Sequence, residues 1–310
     1  MSENGATTPP RVGYIGLGNM GAPMAKRLLD WPGGLVVCDT REEAVAPFVE
    51  SGATRAASPR GVAEQATVIS VTVLDDAQVT DVICGPDGIL AGAAPGTVIA
   101  VHSTISDETA VALAERCNAV GVEFVDAPVS GGAGGAEKGE LAIMVGGSET
   151  AFAAVKAPFK CYSNLVIHAG DVGAGTRMKL ARNLLHFVSF TAASEAQRLA
   201  AGAGIDIRKL GKVVRHTDAI TGGAGSIMLR DTMDDVEPDD FWFSILNHVR
   251  DLGEKDLALA LDLGGRLGVD LPLAQRALSA FGPGLGVGLG KAATAAMNDA
   301  RLAAANEEKA

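Results

Sequence analysis

Lys179 and Asn183 have residue types and a spacing that suit acid–base chemistry on a small polar substrate. They are four residues apart in a stretch with helical periodicity, so their side chains share one face of a helix. Further along, the same face carries three ring-bearing side chains, namely His186, Phe187 and Phe190. The two phenylalanines predict partial burial, and burial lowers the pKa of a lysine into the range useful for proton transfer near neutral pH. If the spacing alone is considered, the simpler interpretation is that Lys179 is a solvated lysine on an exposed helix face.

A glycine-rich turn with the pattern G-x-G-x-x-G follows the first apolar run of the chain and opens a helical stretch. It consists of Gly16, Leu17, Gly18, Asn19, Met20 and Gly21. The first glycine of such a turn allows a sharp bend, the second lets the backbone approach a pyrophosphate, and the third lets helix and strand pack closely. The N–H groups at the start of the helix would face the phosphates. The pattern predicts a dinucleotide-binding site, and a structural glycine turn is the alternative.

Asp39, at the end of the second apolar run, is the acidic residue expected to accompany such a turn. A carboxylate at this position can accept hydrogen bonds from ribose hydroxyls, and it repels the 2′-phosphate of NADP. Arg41 lies two residues further on and has the charge to pair with such a phosphate. We therefore predict NAD as the cofactor, with NADP as the alternative. A helix-capping role is the structural alternative for Asp39.

A second glycine-rich segment begins at Asp126 and contains Ser130, Gly131 and Gly132. Backbone N–H groups in such a segment can line a concave surface that binds an anion such as a carboxylate, and the Ser130 hydroxyl adds a donor. The segment follows a predicted strand, and ligands of dinucleotide-binding folds lie at the carboxyl ends of the strands. It is therefore predicted to bind substrate, with a flexible surface loop as the alternative.

Short apolar runs alternate with helical stretches between residues 11 and 170, and most of the runs are continuous. They lie at residues 12–17, 35–38, 68–74, 98–101, 122–125, 141–145 and 165–167. Continuous runs rich in Val and Ile are typical of strands that are covered on both faces, as in a parallel sheet between helices. Helices are predicted between them at residues 22–29, 41–50 and 107–119.

After residue 170 the pattern is helical. The predicted helices are at residues 176–201, 207–216, 241–267 and 273–281. The fold class is therefore α/β, with an N-terminal Rossmann-type doubly wound sheet followed by an all-α C-terminal domain. We predict a cofactor-binding domain at residues 11–170 and a helical domain for substrate binding and dimerisation at residues 171–300.

The composition argues against several classes of function. The formal net charge of −11 does not suit a nucleic-acid partner or an anionic membrane surface. No apolar run approaches the roughly 20 residues of a membrane span, and the first ten residues do not resemble a signal peptide, so we expect a cytoplasmic protein. The four cysteines and five histidines lack metal-binding spacings, so no metal site is expected. A histidine-based dehydrogenase would need a His–carboxylate pair, for which only His168 and His186 are plausibly placed.

In this order and spacing, the motifs resemble those of the β-hydroxyacid dehydrogenase family, and the resemblance extends over residues 11–290. It includes a C-terminal motif made of Lys255, Asp256 and Leu257, with Gly268 and Pro272. By this resemblance Lys179 is the catalytic lysine and Asn183 a substrate contact, while Ser130, Gly131 and Gly132 hold the substrate carboxylate. The resemblance also implies further cofactor contacts at Val73, Leu74, Thr104 and Lys255.

Three positions depart from the family pattern. Arg182 stands where the family usually has Asn, Val101 stands where Asp is common, and Glu140 replaces a small hydroxyl residue. None of these changes removes a catalytic group. Arg182, which is next to the proposed substrate contact, bears on the identity of the substrate.

The implied activity, of the 3-hydroxyisobutyrate dehydrogenase type, is reversible hydride transfer between NAD(P) and a small carboxylate-bearing 3-hydroxy acid, with Lys179 as general acid and base. A semialdehyde or glyoxylate-type reductase of the same family is one alternative. A cofactor-binding regulator without turnover is an alternative from another class. The stretch at residues 176–201 is apolar over much of its surface, which predicts a homodimer or homotetramer.

Overall fold

The computed structural model describes residues 9–222, 230–268 and 271–298. The chain divides after Lys179 into two compact units. Because that division falls inside a long helix, the domain boundary at residues 170/171 stays a prediction. The predicted end of the second domain at residue 300 lies outside the described residues.

The first unit is built on a mostly parallel sheet. The described strands are β1 (Val12–Ile15), β2 (Leu35–Cys38), β3 (Thr54–Arg55), β4 (Val68–Val71), β5 (Val98–Val101), β6 (Glu123–Asp126), β7 (Val129–Ser130), β8 (Leu141–Gly146) and β9 (Ser163–Gly170). Their order is β3-β2-β1-β4-β5-β6-β8-β7, with β9 paired to β8. The strands from β3 to β6 are parallel, whereas β8 pairs antiparallel with β6 and β7.

Helices cover both faces of this sheet, which explains why the strand residues are continuously apolar. The helices are α1 (Gly21–Lys26), α2 (Glu42–Glu50), α3 (Pro59–Ala63), α4 (Asp76–Cys84), a short 3-10 turn (Ile89–Ala91), α5 (Asp107–Asn118), α6 (Gly132–Lys138) and α7 (Glu149–Phe159). Strands β1, β2, β4 and β5 are buried at every position. One core cluster contains Val12, Tyr14 and Phe159, and the cluster on the other face contains Ile15, Val36 and Ile99. Successive strand residues point to opposite faces, so both layers draw on the same strands.

The strand order reverses direction between β1 and β4. In folds of this type ligands bind beside such a reversal, at the carboxyl ends of the strands. The parallel strands β1, β2, β4, β5 and β6 all end at the same edge. The glycine turn, Asp39, Val73 and Thr104 follow these strand ends. The fold therefore gathers residues that are widely separated in the sequence.

The second unit contains helices only, in the part of the chain that is described. They are the greater part of α8 (Ala174–Gly202), then α9 (Ile207–Thr221), α10 (Phe241–Leu267) and α11 (Pro272–Leu285), with a further helical segment at residues 291–298. Its core contains Phe187, Phe190, Leu246, Leu257 and Phe281. The predicted fold class, a Rossmann-type sheet followed by helices, is confirmed.

Helix ends explain where the sequence-based boundaries succeed and where they do not. Helix α10 has its predicted bounds, because Asp240 accepts the Trp242 N–H at its start and Gly268 takes a left-handed conformation at its end. Helix α9 runs five residues beyond the predicted His216, to the left-handed Gly222. Helix α1 ends at Lys26 rather than at the predicted Leu29, since the following N–H groups bond three residues back, in tighter turns.

Candidate functional site

The glycine turn after β1 has the shape that a dinucleotide pyrophosphate requires. Gly16 has φ +91°, and a Cβ atom there would collide with the carbonyl oxygen of Thr72. A Cβ atom at Gly21 would collide with the carbonyl oxygen of Gly16, so the third glycine permits close packing of α1 on the turn. A Cβ atom at Gly18 would meet no protein atom within 4 Å. The space beside Gly18 is thus open to a ligand, and the turn fits the cofactor that the sequence predicts.

The Asp39 carboxylate is hydrogen-bonded to the backbone of this turn. Its Oδ2 accepts a hydrogen bond from the Leu17 N–H at 2.6 Å, and its Oδ1 accepts one from the Arg41 N–H at 2.9 Å. The Arg41 guanidinium contacts both carboxylate oxygens and also donates to the Leu17 carbonyl at 3.2 Å. Burial opposes the ionisation of Asp39, but the hydrogen bonds from Arg41 and Leu17 outweigh it and lower the pKa of the carboxyl group. Asp39 is therefore an ionised carboxylate whose oxygens are already engaged by Arg41.

Val73 lies beside the same turn, since a Cβ atom at Gly16 would be 3.2 Å from its side chain. Val73 exchanges two hydrogen bonds with the Ser103 side chain, as its N–H donates to Oγ at 3.0 Å and its carbonyl accepts from Oγ at 2.6 Å. Ser103 thus joins the loops after β4 and β5 and places its neighbour Thr104 next to Val73. The Leu74 side chain is 71% exposed, so a ligand could cover it.

The predicted substrate loop begins at the buried end of β6. Ser130, in β7, is half-buried, while Gly131 and Gly132 are exposed and have φ values of +131° and +65°. A Cβ atom at Gly131 would lie 2.9 Å from the Leu141 side chain, so glycine is favoured there by both conformation and space. The two glycines turn the backbone from β7 into α6.

Asp126 fixes the start of α8, the helix that carries Lys179. Its two carboxylate oxygens accept the N–H groups of Gly173 at 2.7 Å and of Thr176 at 2.6 Å. Burial raises the pKa of Asp126 to about 6, against the opposing effect of these two hydrogen bonds. Arg177, in the same turn, is paired with Asp107 at 2.9 Å. The first turn of α8 is thereby tied to the ends of β6 and α5.

Lys179 lies next to the predicted substrate loop. The side chain is buried, and Nζ donates a hydrogen bond of 2.7 Å to the carbonyl oxygen of Val129, the residue before Ser130. A lysine on a solvated helix surface would be exposed, so that alternative is wrong. The structure therefore brings Lys179 together with the Ser130–Gly132 segment.

Asn183 follows Lys179 by one turn of α8 and belongs to the helical unit. Its amide nitrogen donates to the buried Asp256 carboxylate, and its amide oxygen accepts from Arg182 Nη1 at 3.0 Å. Lys255 Nζ is 3.3 Å from the other carboxylate oxygen of Asp256. These contacts fix the direction of the Asn183 amide and bring Asn183 and Lys255 to the same carboxylate.

The structure thus forms three groups from the predicted site residues. Asp39 and Val73 lie at the glycine turn, with Thr104 next in the chain to Ser103, which bonds Val73; Lys179 lies at the predicted substrate loop; and Asn183 and Lys255 both contact Asp256. Sequence reasoning assigned no role to Asp126, Asp256 or Ser103. Each of them was inside or beside a quoted motif, which was the available signal, but their partners lie far away along the chain.

Two further observations concern the described residues. No cluster of three or more His, Cys, Asp or Glu side chains among them could hold a metal ion. None of the helices found there is long and apolar enough to cross a membrane.

Comparisons with known proteins identify the family to which this chain is similar. The NAD-binding domain of 6-phosphogluconate dehydrogenase matches residues 11–170, and the NAD-binding domain of NADP-dependent 3-hydroxyisobutyrate dehydrogenase matches residues 173–300. An uncharacterized oxidoreductase of Mycobacterium tuberculosis is 62% identical over 278 residues, which are 90% of this chain and 94% of that protein. A 2-(hydroxymethyl)glutarate dehydrogenase of Eubacterium barkeri is 32% identical and covers 91% of each chain.

This chain is also similar to a solved structure. It is a 3-hydroxyisobutyrate dehydrogenase of Mycobacterium tuberculosis with L-serine, and it is 29% identical to this chain with a TM-score of 0.72. The match covers 88% of this chain and 92% of the other. The similarity therefore extends over both the sheet and the helices.

Proposed function

Because the chain belongs to the β-hydroxyacid dehydrogenase family of NAD(P)-dependent oxidoreductases, we propose that it catalyses reversible hydride transfer between the cofactor and a small 3-hydroxy acid, with Lys179 as general acid and base. The observation that carries this proposal is the burial of Lys179 against the substrate loop, with Nζ 2.7 Å from the carbonyl oxygen of Val129. An amino group held there lies within reach of a hydroxyl group bound beside Ser130.

Each residue has a defined role in this reaction. During oxidation Lys179 accepts the proton of the substrate hydroxyl at Nζ, and during reduction it returns that proton. Ser130 and the N–H groups of Gly131 and Gly132 bind the substrate carboxylate, and Asn183 orients the substrate through its amide. The bound nicotinamide supplies the hydride acceptor or donor. Holding the reacting carbon in place converts an encounter into an effectively intramolecular step.

The names of the relatives support one class of substrate for this proposal. The compounds named with them are 3-hydroxyisobutyrate, L-serine and 2-(hydroxymethyl)glutarate. All three carry a primary alcohol on the carbon next to a carboxylate-bearing carbon. We therefore propose 2-substituted 3-hydroxypropanoates as substrates. Reduction of the corresponding semialdehydes is the same reaction in the opposite direction.

A substrate panel tests the proposed function. Purified protein is given 2-substituted 3-hydroxypropanoates, 2-hydroxy acids and the matching semialdehydes or glyoxylate, each with both cofactors, and the absorbance of reduced nicotinamide is followed. We expect turnover with 3-hydroxy acids. Turnover of 2-hydroxy acids or glyoxylate alone would contradict the substrate class, and tight NADH binding without turnover of any compound would instead support a regulatory protein.

For the cofactor we propose a preference for NAD, because Asp39 is ionised and lies at the end of β2, where the adenosine ribose binds in this fold. Arg41 is the feature that favours NADP, since its side chain is 52% exposed and could meet a 2′-phosphate. Asp39 therefore favours NAD, whereas Arg41 favours NADP.

We also propose that the protein forms a homodimer or homotetramer through its helical unit. Large apolar side chains are exposed on α8 and α9, namely Leu185 at 73%, Val213 at 62% and Ile220 at 78%. Exposed apolar surface of this kind usually marks an interface. Sedimentation at micromolar concentration is expected to show a multiple of 31.5 kDa, and Leu185→Glu to shift it towards the monomer. A wild-type protein that sediments only as a 31.5 kDa species would disprove the proposed self-association.

A further inference from the structure

His102 is a buried histidine that the proposed reaction does not use. It follows β5, and its side chain is only 3% exposed. Its Nδ1 is 2.8 Å from the carbonyl oxygen of Ala127, and its Nε2 is 3.1 Å from Ser70 Oγ and 3.3 Å from Tyr162 Oη. Because a carbonyl oxygen only accepts, the proton belongs on Nδ1, and Nε2 accepts from one of the two hydroxyl groups. Burial lowers the pKa of His102 to about 4, so the ring is neutral at the pH of ordinary assays.

Ala127, which His102 contacts, is the first residue of the segment whose Val129 carbonyl binds Lys179. We call residues 127–130 the strap, since they join β6 to the substrate glycines. Each of the first three strap carbonyls accepts one hydrogen bond: Ala127 from His102, Pro128 from the Met144 N–H at 3.1 Å, and Val129 from Lys179. The Ala127 N–H donates to the Val101 carbonyl at 2.7 Å, while Pro128 has no N–H. His102 is thus the side-chain anchor at the start of the strap, two residues before the carbonyl that holds Lys179.

We propose that His102 is a positioning residue, which fixes the strap and thereby the Lys179 amino group and the Ser130 hydroxyl against the substrate. This inference rests on the proposed function of Lys179. Without a donor at Nδ1 the Ala127 carbonyl would be buried without a partner, and the flanking peptides would rotate to find one. The Ala127 carbonyl shares one planar peptide unit with the Pro128 nitrogen, so its rotation changes the backbone angles at Pro128 and displaces the residues that follow, beginning with the Pro128 and Val129 carbonyls. A displacement of about 1 Å at a reacting group is enough to lower a rate by roughly 10²-fold.

A direct role in proton transfer does not fit His102. Both ring nitrogens are engaged inside the protein, and three aromatic rings surround the imidazole, those of Tyr14, Phe159 and Tyr162. The ring is therefore shielded from a substrate in the loop. What it contributes is a neutral, fixed donor at one backbone carbonyl.

A matched pair of substitutions distinguishes the contribution of His102 Nδ1 from that of Nε2. In His102→Asn the amide nitrogen takes the place of Nδ1 and keeps the bond to Ala127. In His102→Gln the amide lies near Nε2, so the bond to Ala127 is lost while the contact with Ser70 is kept. Tyr162→Phe is the control, because it removes a buried hydroxyl from the other end of the network and leaves the Ala127 bond in place.

The expected result is a selective loss in kcat. For His102→Gln we expect kcat to fall by roughly 10–100-fold, whereas the Kd for NADH stays at the wild-type value, because the hydrogen bonds that hold the strap lie at Ala127, Pro128 and Val129 and not at the glycine turn. For His102→Asn and Tyr162→Phe we expect kcat within about threefold of wild type, even where the melting temperature falls. Steady-state kinetics, NADH titration and thermal unfolding of the full chain supply the three readouts.

Wild-type kcat in folded His102→Gln would overturn the inference, and so would equal losses of kcat in all three variants. If His102→Gln does not fold, the other two variants decide, because a loss of tenfold or more in either of them contradicts the argument and near-wild-type values support it. Lys179→Ala is measured in parallel. Full activity of Lys179→Ala refutes the proposed function itself, whereas an inactive Lys179→Ala beside a normal His102→Gln refutes only the role of His102.

Discussion

Replacing Lys179 by alanine is expected to lower kcat by roughly 10²–10⁴-fold, which is the usual contribution of a positioned acid or base. The buried amino group lies against the Val129 carbonyl, one residue from the loop that is proposed to hold the substrate carboxylate. NADH affinity should change little, because the proposed phosphate and ribose contacts lie at the glycine turn and Asp39, whereas Lys179 lies against the carbonyl oxygen of Val129. Steady-state kinetics and NADH titration measure the two quantities separately.

Arginine at the same position distinguishes proton transfer from simple attraction of the substrate. Lys179→Arg keeps the positive charge, but a guanidinium does not lose its proton near neutral pH, so we expect poor recovery of kcat. Near-normal kcat in Lys179→Arg would mean that Lys179 acts as an electrostatic anchor. Lys160→Ala serves as the control, since Lys160 is exposed at the end of α7 and should have wild-type kinetics. Circular dichroism establishes that each variant is folded before its kinetics are interpreted.

Arg41→Ala and Asp39→Asn are expected to change the choice of cofactor in opposite directions. The Arg41 guanidinium contacts both carboxylate oxygens of Asp39, so its removal leaves each oxygen with a backbone N–H donor and able to accept from a ribose hydroxyl of NAD as well. Because hydrogen bonds to charged groups are stronger than neutral ones, we expect roughly a tenfold gain in the ratio of kcat/KM for NAD over NADP. Asp39→Asn removes the negative charge that repels a 2′-phosphate, and we expect that ratio to fall by a similar factor.

The measurement is kcat/KM for each cofactor in the wild type and both variants. Asn retains an oxygen that can accept the Leu17 N–H, so Asp39→Asn preserves the turn better than Asp39→Ala would. A wild-type protein with the higher kcat/KM for NADP would refute the proposed preference. An unchanged ratio in Arg41→Ala would show that the arginine moves aside at no cost when either cofactor binds.

Local sequence determined much of this site because the relevant signals span only a few residues. The conformational and spatial demands on Gly16 and Gly21 arise within a single turn, and they are what the G-x-G-x-x-G pattern predicts. The spacing of Lys179 and Asn183 placed them one turn apart on a helix, and the helix is observed. Continuous apolar strands predicted a sheet that is covered on both faces, and the burial of β1, β2, β4 and β5 confirms it. Motif resemblance, rather than spacing, assigned the catalytic role to Lys179.

Only the tertiary structure decided which partners those residues have. Lys179 meets a carbonyl 50 residues earlier in the chain, and Asn183 meets a carboxylate 73 residues later. The contact between His102 and Ala127 spans 25 residues, and that between His102 and Tyr162 spans 60. Helical and strand periodicities fix which face a side chain occupies, but they carry no information about the element packed against that face. The packing of strands and helices brings these groups together, so the burial of Lys179, the bond from the Leu17 N–H to Asp39 and the anchoring of the strap follow from the tertiary structure, whereas the contact of Asp39 with Arg41 is local.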